Sequence, residues 1–126
     1  MTITTDDVIA LQGRINEKLA RFNTSFKLTV HFTDERINSD RNHPAITIEE
    51  LDSIFDRLLT DTTVTQIVAL NHGDTFNIRC MTSHINMPCG VEKKNGPNNT
   101  VTHKSIVITV MRKEKFKAKD PIEFQV

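Results

Sequence analysis

Ser105–Lys119, SIVITVMRKEKFKAK, is the stretch whose reading decides the fold. Its first half, Ile106-Val107-Ile108-Thr109-Val110-Met111, is almost all β-branched and apolar. That pattern predicts a central strand buried on both faces of a sheet. The second half turns basic, with Arg112, Lys113, Lys115, Lys117 and Lys119 against a single Glu114. A strand that delivers cations where it leaves the core sets them on a rigid base, which an anion site needs. The plainer reading of the same run is a solvated, charged strand exit.

Working outward from this strand, the segments on either side supply the rest of the sheet. Val64–Leu70 and Thr75–Met81, joined by Asn71-His72-Gly73-Asp74, read as a β-hairpin. His84–Glu92 reads as a further strand, edge or bulged because of Pro88, and Lys93–Asn99 as a turn. Ile122–Val126 adds a last short strand. Earlier in the chain, Phe26, Leu28, Val30 and Phe32 alternate with Lys27, Thr29 and His31, a half-buried strand.

Two helices precede and interrupt these strands. Thr4–Asp7 offers caps, and Val8, Leu11, Ile15, Leu19 and Phe22 follow at helical spacing. The polar face of that helix, Gln12, Arg14, Glu17, Lys18 and Arg21, reads as solvated. Thr47 and Glu50 form a capping box, Ile46 can staple onto Leu51, and Leu51, Ile54, Phe55, Leu58 and Leu59 form a buried stripe that Thr60–Thr63 ends. The expected architecture is α+β: two helices packed on a mainly antiparallel sheet of about four to five strands.

Composition bounds the function. The 126 residues suit one domain, and the formal net charge is zero, so any nucleic-acid role needs a local patch. The absence of Trp and Tyr argues against base-stacking platforms. No run approaches the ~20 apolar residues of a membrane span, and no signal peptide is expected at the start. Cys80 and Cys89 fit a reducing cytoplasm as free thiols, with one disulfide left open. Cys80, His84 and Cys89 are spaced by four and five, which fits no tetrahedral template, so neither a metal nor another cofactor is expected.

The chemistry that remains is a set of cations and imidazoles: His31, Arg36, Arg41, His43, Arg112, Lys113 and Lys115. Gathered on one surface, they would bind phosphates through charge-assisted contacts. Such a set could also cleave RNA without metal, with His31 as the acid-base group, Glu35 or Glu114 as weaker candidates for it, and arginines and lysines stabilising the phosphorane.

At these residues the chain resembles a family of small tailed-bacteriophage proteins, mostly of unassigned function. The resemblance rests on His31-Phe32, Arg36-Ile37, Arg41-Asn42, Ile46-Thr47, Glu50-Leu51 and Phe55, then on the segment Met81–Pro88, and on Thr109–Lys113 with Phe116. Cys89 stands where the family usually has Phe, and the spacing between Arg36 and Asn42 is slightly expanded. The layout is also similar to RelE- and BrnT-type toxins, ribonucleases built as helices followed by an antiparallel sheet. These resemblances imply a RelE-like fold and a phage protein of the host cytoplasm that binds RNA or another phosphate-bearing ligand. The residues expected in a catalytic role are His31, Arg36 and Arg112, with Arg41, Asn42, Asn86, Lys113 and Lys115 expected on the ligand. The competing expectations are a non-catalytic binder, inhibiting a host protein or sequestering a nucleotide signal, and a minor virion component. Homo-oligomerisation is also left open.

Overall fold

The computed structural model describes residues 3–29, 42, 44–113 and 122–126. Helix α1 spans Thr5–Leu19 and runs through a 3-10 turn at Ala20–Phe22 into strand β1, Thr24–Leu28. Asn23 makes the corner in the left-handed region at φ 56°, a conformation that asparagine tolerates. Helices α2, Ile48–Leu58, and α3, Asp61–Val68, follow. The remaining elements are β2, Thr75–Arg79; β3, Ile85–Asn95; β4, Val101–Val107; β5, Met111–Arg112; and β6, Ile122–Gln125.

The fold is α+β, as expected, but among the described residues it has three helices and a six-stranded mixed sheet in place of two helices and four to five mainly antiparallel strands. The strand order is β1-β4-β3-β2-β6, and β5 pairs with β3. Pairings β1–β4 and β2–β6 are parallel, while β2–β3, β3–β4 and β3–β5 are antiparallel. One face of the sheet carries Phe26, Leu28, Phe76, Ile78, Met87, Cys89, Val91 and Val107, which join Leu11, Ile15, Leu51, Ile54, Phe55, Leu58, Val64 and Ile67 in the core. Phe26 meets Phe55 edge to face at 5.7 Å, a favoured aromatic geometry.

Both expected helices form for the expected reasons. Thr4 and Asp7 make a capping box on α1, and Thr47 and Glu50 make one on α2. Ile46 and Leu51 are both buried, as a hydrophobic staple requires.

Several expectations need correction, among them the edge position expected for the Pro88 strand, since β3 lies between β4 and β2 and runs on to Asn95. Val64–Leu70 is largely helix, not strand: Thr60 caps α3 by accepting from the Thr63 amide, and Val64, Ile67 and Val68 recur at helical spacing. The Thr60–Thr63 run therefore starts a helix as well as ending one. The observed hairpin is β2–β3, turning through 81–84 with His84 at φ 62°.

The deciding stretch is central in the sheet order, with β4 between β1 and β3, but it is not buried on both faces. Val107 and Val110 are buried while Ile108 is 45% exposed. Register explains the break. Val107 pairs with Cys89 and Met111 with Asn86, so 108–110 oppose only 87–88. The extra residue is a bulge, and it re-aims the chain before β5.

The polar face of α1 is not merely solvated. Arg14 grips Asp52 through two bonds, at 3.1 and 2.7 Å, Lys18 pairs with Asp56, and Arg21 pairs with Asp61. These pairs are exposed, so each contributes about 0–1 kcal/mol and fixes how the helices lie more than how tightly they hold.

Candidate functional site

The bulge delivers Arg112 into the fold. Its side chain is 8% exposed, and the guanidinium is ion-paired to Glu50 at 2.7 Å. Nε donates to the Pro44 carbonyl at 2.7 Å, Nη1 to that of Ser83 at 2.8 Å, and Nη2 to that of Ala45 at 3.1 Å as well as to Glu50. Four bonds thus engage four of the five N–H donors that a guanidinium carries. The Arg112 amide donates to Asn42 Oδ1 at 2.9 Å. Glu50 also accepts from the Thr47 amide and hydroxyl. Burial pulls the Glu50 carboxyl upward, but bonds from Arg112 and Thr47 hold it below its ordinary value.

Asn86 completes this knot from the other side of the turn. It is fully buried, and its Nδ2 donates to the carbonyls of His84 and Lys113 at 3.1 and 3.2 Å. Its Oδ1 accepts from Asn77. Three of the residues expected on the ligand or in catalysis, Asn42, Asn86 and Arg112, therefore do converge. They converge inside the protein, where they tie Asn42, Pro44 and Ala45, the start of α2, the β2–β3 turn and β5 together. The expectation that Arg112 faces solvent is corrected: the carbonyls that surround it leave no sequence signature. Lys113 is exposed. His31, Arg36, Arg41, His43 and Lys115 lie outside the described residues.

Next to the knot, Cys80 Sγ lies 3.4 Å from Arg57 Nη2 and 3.4 Å from Thr82 Oγ1. Burial would raise this thiol, but the Ser83 and Thr82 hydroxyls and Arg57 outweigh it and bring the thiol to about 6. Both cysteines are buried and unbridged.

The described arginines are all engaged, whereas only some of the lysines are. Each described arginine is engaged within the fold: Arg14, Arg21, Arg79 and Arg112 with carboxylates, and Arg57 with Cys80 and the Ser53 carbonyl. Lys27, Lys93, Lys104 and Lys113 make no ion pair among the described residues, whereas Lys18 pairs with Asp56 and Lys94 with Glu92, the latter at 3.0 Å. Lys27 and Lys104 line a groove of about 650 Å³ between α1 and β1, together with Thr5, Ile9, Gln12 and Ser25.

Two of the polar groups beside this groove do structural work. Asn16 Oδ1 accepts from the Phe26 amide at 2.8 Å, and Asn16 Nδ2 donates to the Phe26 carbonyl at 3.1 Å. Gln12 Oε1 accepts from the Leu28 amide at 2.8 Å. These amides sit four apart on α1 and imitate a neighbouring strand along β1. The spacing of Gln12 and Asn16 ahead of an alternating strand is the signal that could have revealed them.

No protein-family model, curated protein or solved structure matches the chain. No helix among the described residues is long and apolar enough to cross a membrane.

Proposed function

We propose that this protein binds RNA, or another phosphate-bearing ligand, through Lys27 and Lys104 at the groove between α1 and β1. On the resemblance to small tailed-phage proteins, it would do so in the host cytoplasm. The observation that carries the reading is the division of the cations: arginines hold the fold together, while lysines without an ion pair line the groove. An ammonium on a flexible stem neutralises phosphate as a point charge without fixing its orientation, so recognition would favour charge over sequence. Cleavage would call on Arg112, whose donors are already engaged, and on His31 and Arg36. Binding without cleavage is the reading these side chains favour.

The test is titration of single-stranded RNA and of inorganic phosphate at several salt concentrations. Wild-type affinity should fall steeply with salt. Lys27→Ala and Lys104→Ala should each shrink the slope by about 0.7, the share of one neutralised phosphate on a single strand. RNA binding that both variants leave unchanged would overturn the assignment.

A further inference from the structure

The sheet ends in two strands, β1 and β6, and among the described residues only β1 is sealed. At β1 the outward amide and carbonyl of Phe26 and the outward amide of Leu28 are taken by Asn16 and Gln12. At the other end, β6 meets β2 in a parallel ladder that pairs Phe76 with Ile122 and Arg79 with Gln125. Val126 donates to the Arg79 carbonyl, and the Met81 amide donates to the Val126 carbonyl. Alternation then turns Ile122, Phe124 and Val126 toward β2, and the amides and carbonyls of Glu123 and Gln125 outward. Those four groups have no partner among the described residues.

We propose that β6 pairs antiparallel with β6 of a second copy of this chain, joining two sheets across a two-fold axis at Phe124. This register places Glu123 opposite the second copy's Gln125 and forms four hydrogen bonds, using every outward group. Moving the two-fold axis by one residue, to Glu123 or Gln125, uses only half of them, and the first sets Glu123 against itself, a like-charge clash. In the favoured register a carboxylate faces an amide on the open side. Glu123 is already oriented there by Arg79 at 3.0 Å and by Gln125 Nε2 at 3.0 Å. On the other side, the half-buried row Ile122, Phe124 and Val126 gains cover. Phe124 already stacks edge to face on Phe76 at 5.4 Å, so its ring is held where a symmetry mate would meet it. An isologous contact of this kind closes on itself and leaves the sealed β1 edges at the two ends of the joined sheet. The inference is independent of the ligand assigned to the groove.

Sedimentation of the full-length protein from about 1 µM to about 500 µM tests it by mass action. The wild type should pass from monomer to dimer. Gln125→Pro, which deletes an outward amide that β2 does not use, should weaken association at least tenfold with an unchanged circular dichroism spectrum. A wild type that stays monomeric throughout overturns the proposal, as does a dimer that survives Gln125→Pro. Hydrogen exchange on the wild type decides the matter if the variant fails to fold. The Glu123 and Gln125 amides should be protected only at high concentration, and those of Phe26 and Leu28 at every concentration. Protection of Glu123 and Gln125 that does not change with concentration would overturn the pairing.

Discussion

Strands β1 and β6 border the same sheet and are finished in opposite ways. On β1, the outward amide and carbonyl of Phe26 and the outward amide of Leu28 are met by side-chain amides from a helix of the same chain, only 10 to 16 residues away. The outward groups of β6, at Glu123 and Gln125, have no partner among the described residues. An unpaired edge is a template for another strand, so the difference separates an edge protected from pairing from one available for it. The lesson is that a helix can close a sheet sideways. Two amides four residues apart present the donors and acceptors that a further strand would have supplied.

The upper limit for any polar seal in this protein is set away from both edges, at Arg112. Arg112→Met should cost about 3 to 5 kcal/mol, because Glu50 and three carbonyls lose a buried partner together. Chemical denaturation measures it. A loss under about 1 kcal/mol would mean that the knot is wet and that the edges cannot be judged against it.

Asn16→Ala should come next, at about 2 to 3 kcal/mol, since both main-chain groups of the buried Phe26 lose their bonds. Asn16→Asp sharpens the point: it keeps an acceptor for the Phe26 amide but sets a carboxylate against the Phe26 carbonyl. Equal melting temperatures for Asn16→Ala and wild type would show that the β1 edge needs no seal.

The β1 side should also be the one that acid loosens near neutrality. His103, on β4 beside β1, shares a 2.7 Å bond between its Nδ1 and Thr24 Oγ1. Burial, followed by the charge of Lys93, holds its pKa below the ordinary 6.5. A depressed value means that the unfolded chain binds the proton more readily. The stabilisation is therefore complete above about 6.5 and is lost as pH falls through the folded value. Denaturation from pH 7.5 down to 5 should show a decline that His103→Gln lacks, and a decline of the same size in both proteins would refute the assignment. The smallest effect belongs to β6: Gln125→Ala should change monomer stability by no more than about 0.5 kcal/mol. A larger loss in dilute solution would erase the contrast between the edges.

What the sequence disclosed, and what it hid, follows the range of each interaction. Helices α1 and α2 were legible because their caps and apolar stripes are local: Thr4 and Asp7, Thr47 and Glu50, and Val8, Leu11, Ile15 and Leu19. Helix α3 was missed because β-branched residues from Val64 to Val68 mimic a strand, and tertiary packing with a Thr60 cap overrode that propensity. The parallel pairings β1–β4 and β2–β6 join distant segments and carry no turn signal. The convergence of Asn42, Asn86 and Arg112 was readable as a grouping but not as a role. Sequence displays the guanidinium and conceals the carbonyls of Pro44, Ala45 and Ser83 that surround it. The lysines beside α1 were passed over because charge on a helix or strand face reads first as solvated.

The sealed edge also bears on the order in which the chain acquires its shape. Strand β1 reaches its helix partners across 10 to 16 residues, but its strand partner β4 across 79. Short loops close first, because the entropy of closure grows with length and long-range pairing is slow. Helix α1 can therefore hold β1 extended while β4 is still unfolded, standing in for a neighbour that arrives later. Pulse-labelled exchange during refolding would register this as early protection of the Phe26 and Leu28 amides ahead of Thr29, whose amide bonds Val107. Simultaneous protection of all three would mean that helix, strand and sheet condense in one step.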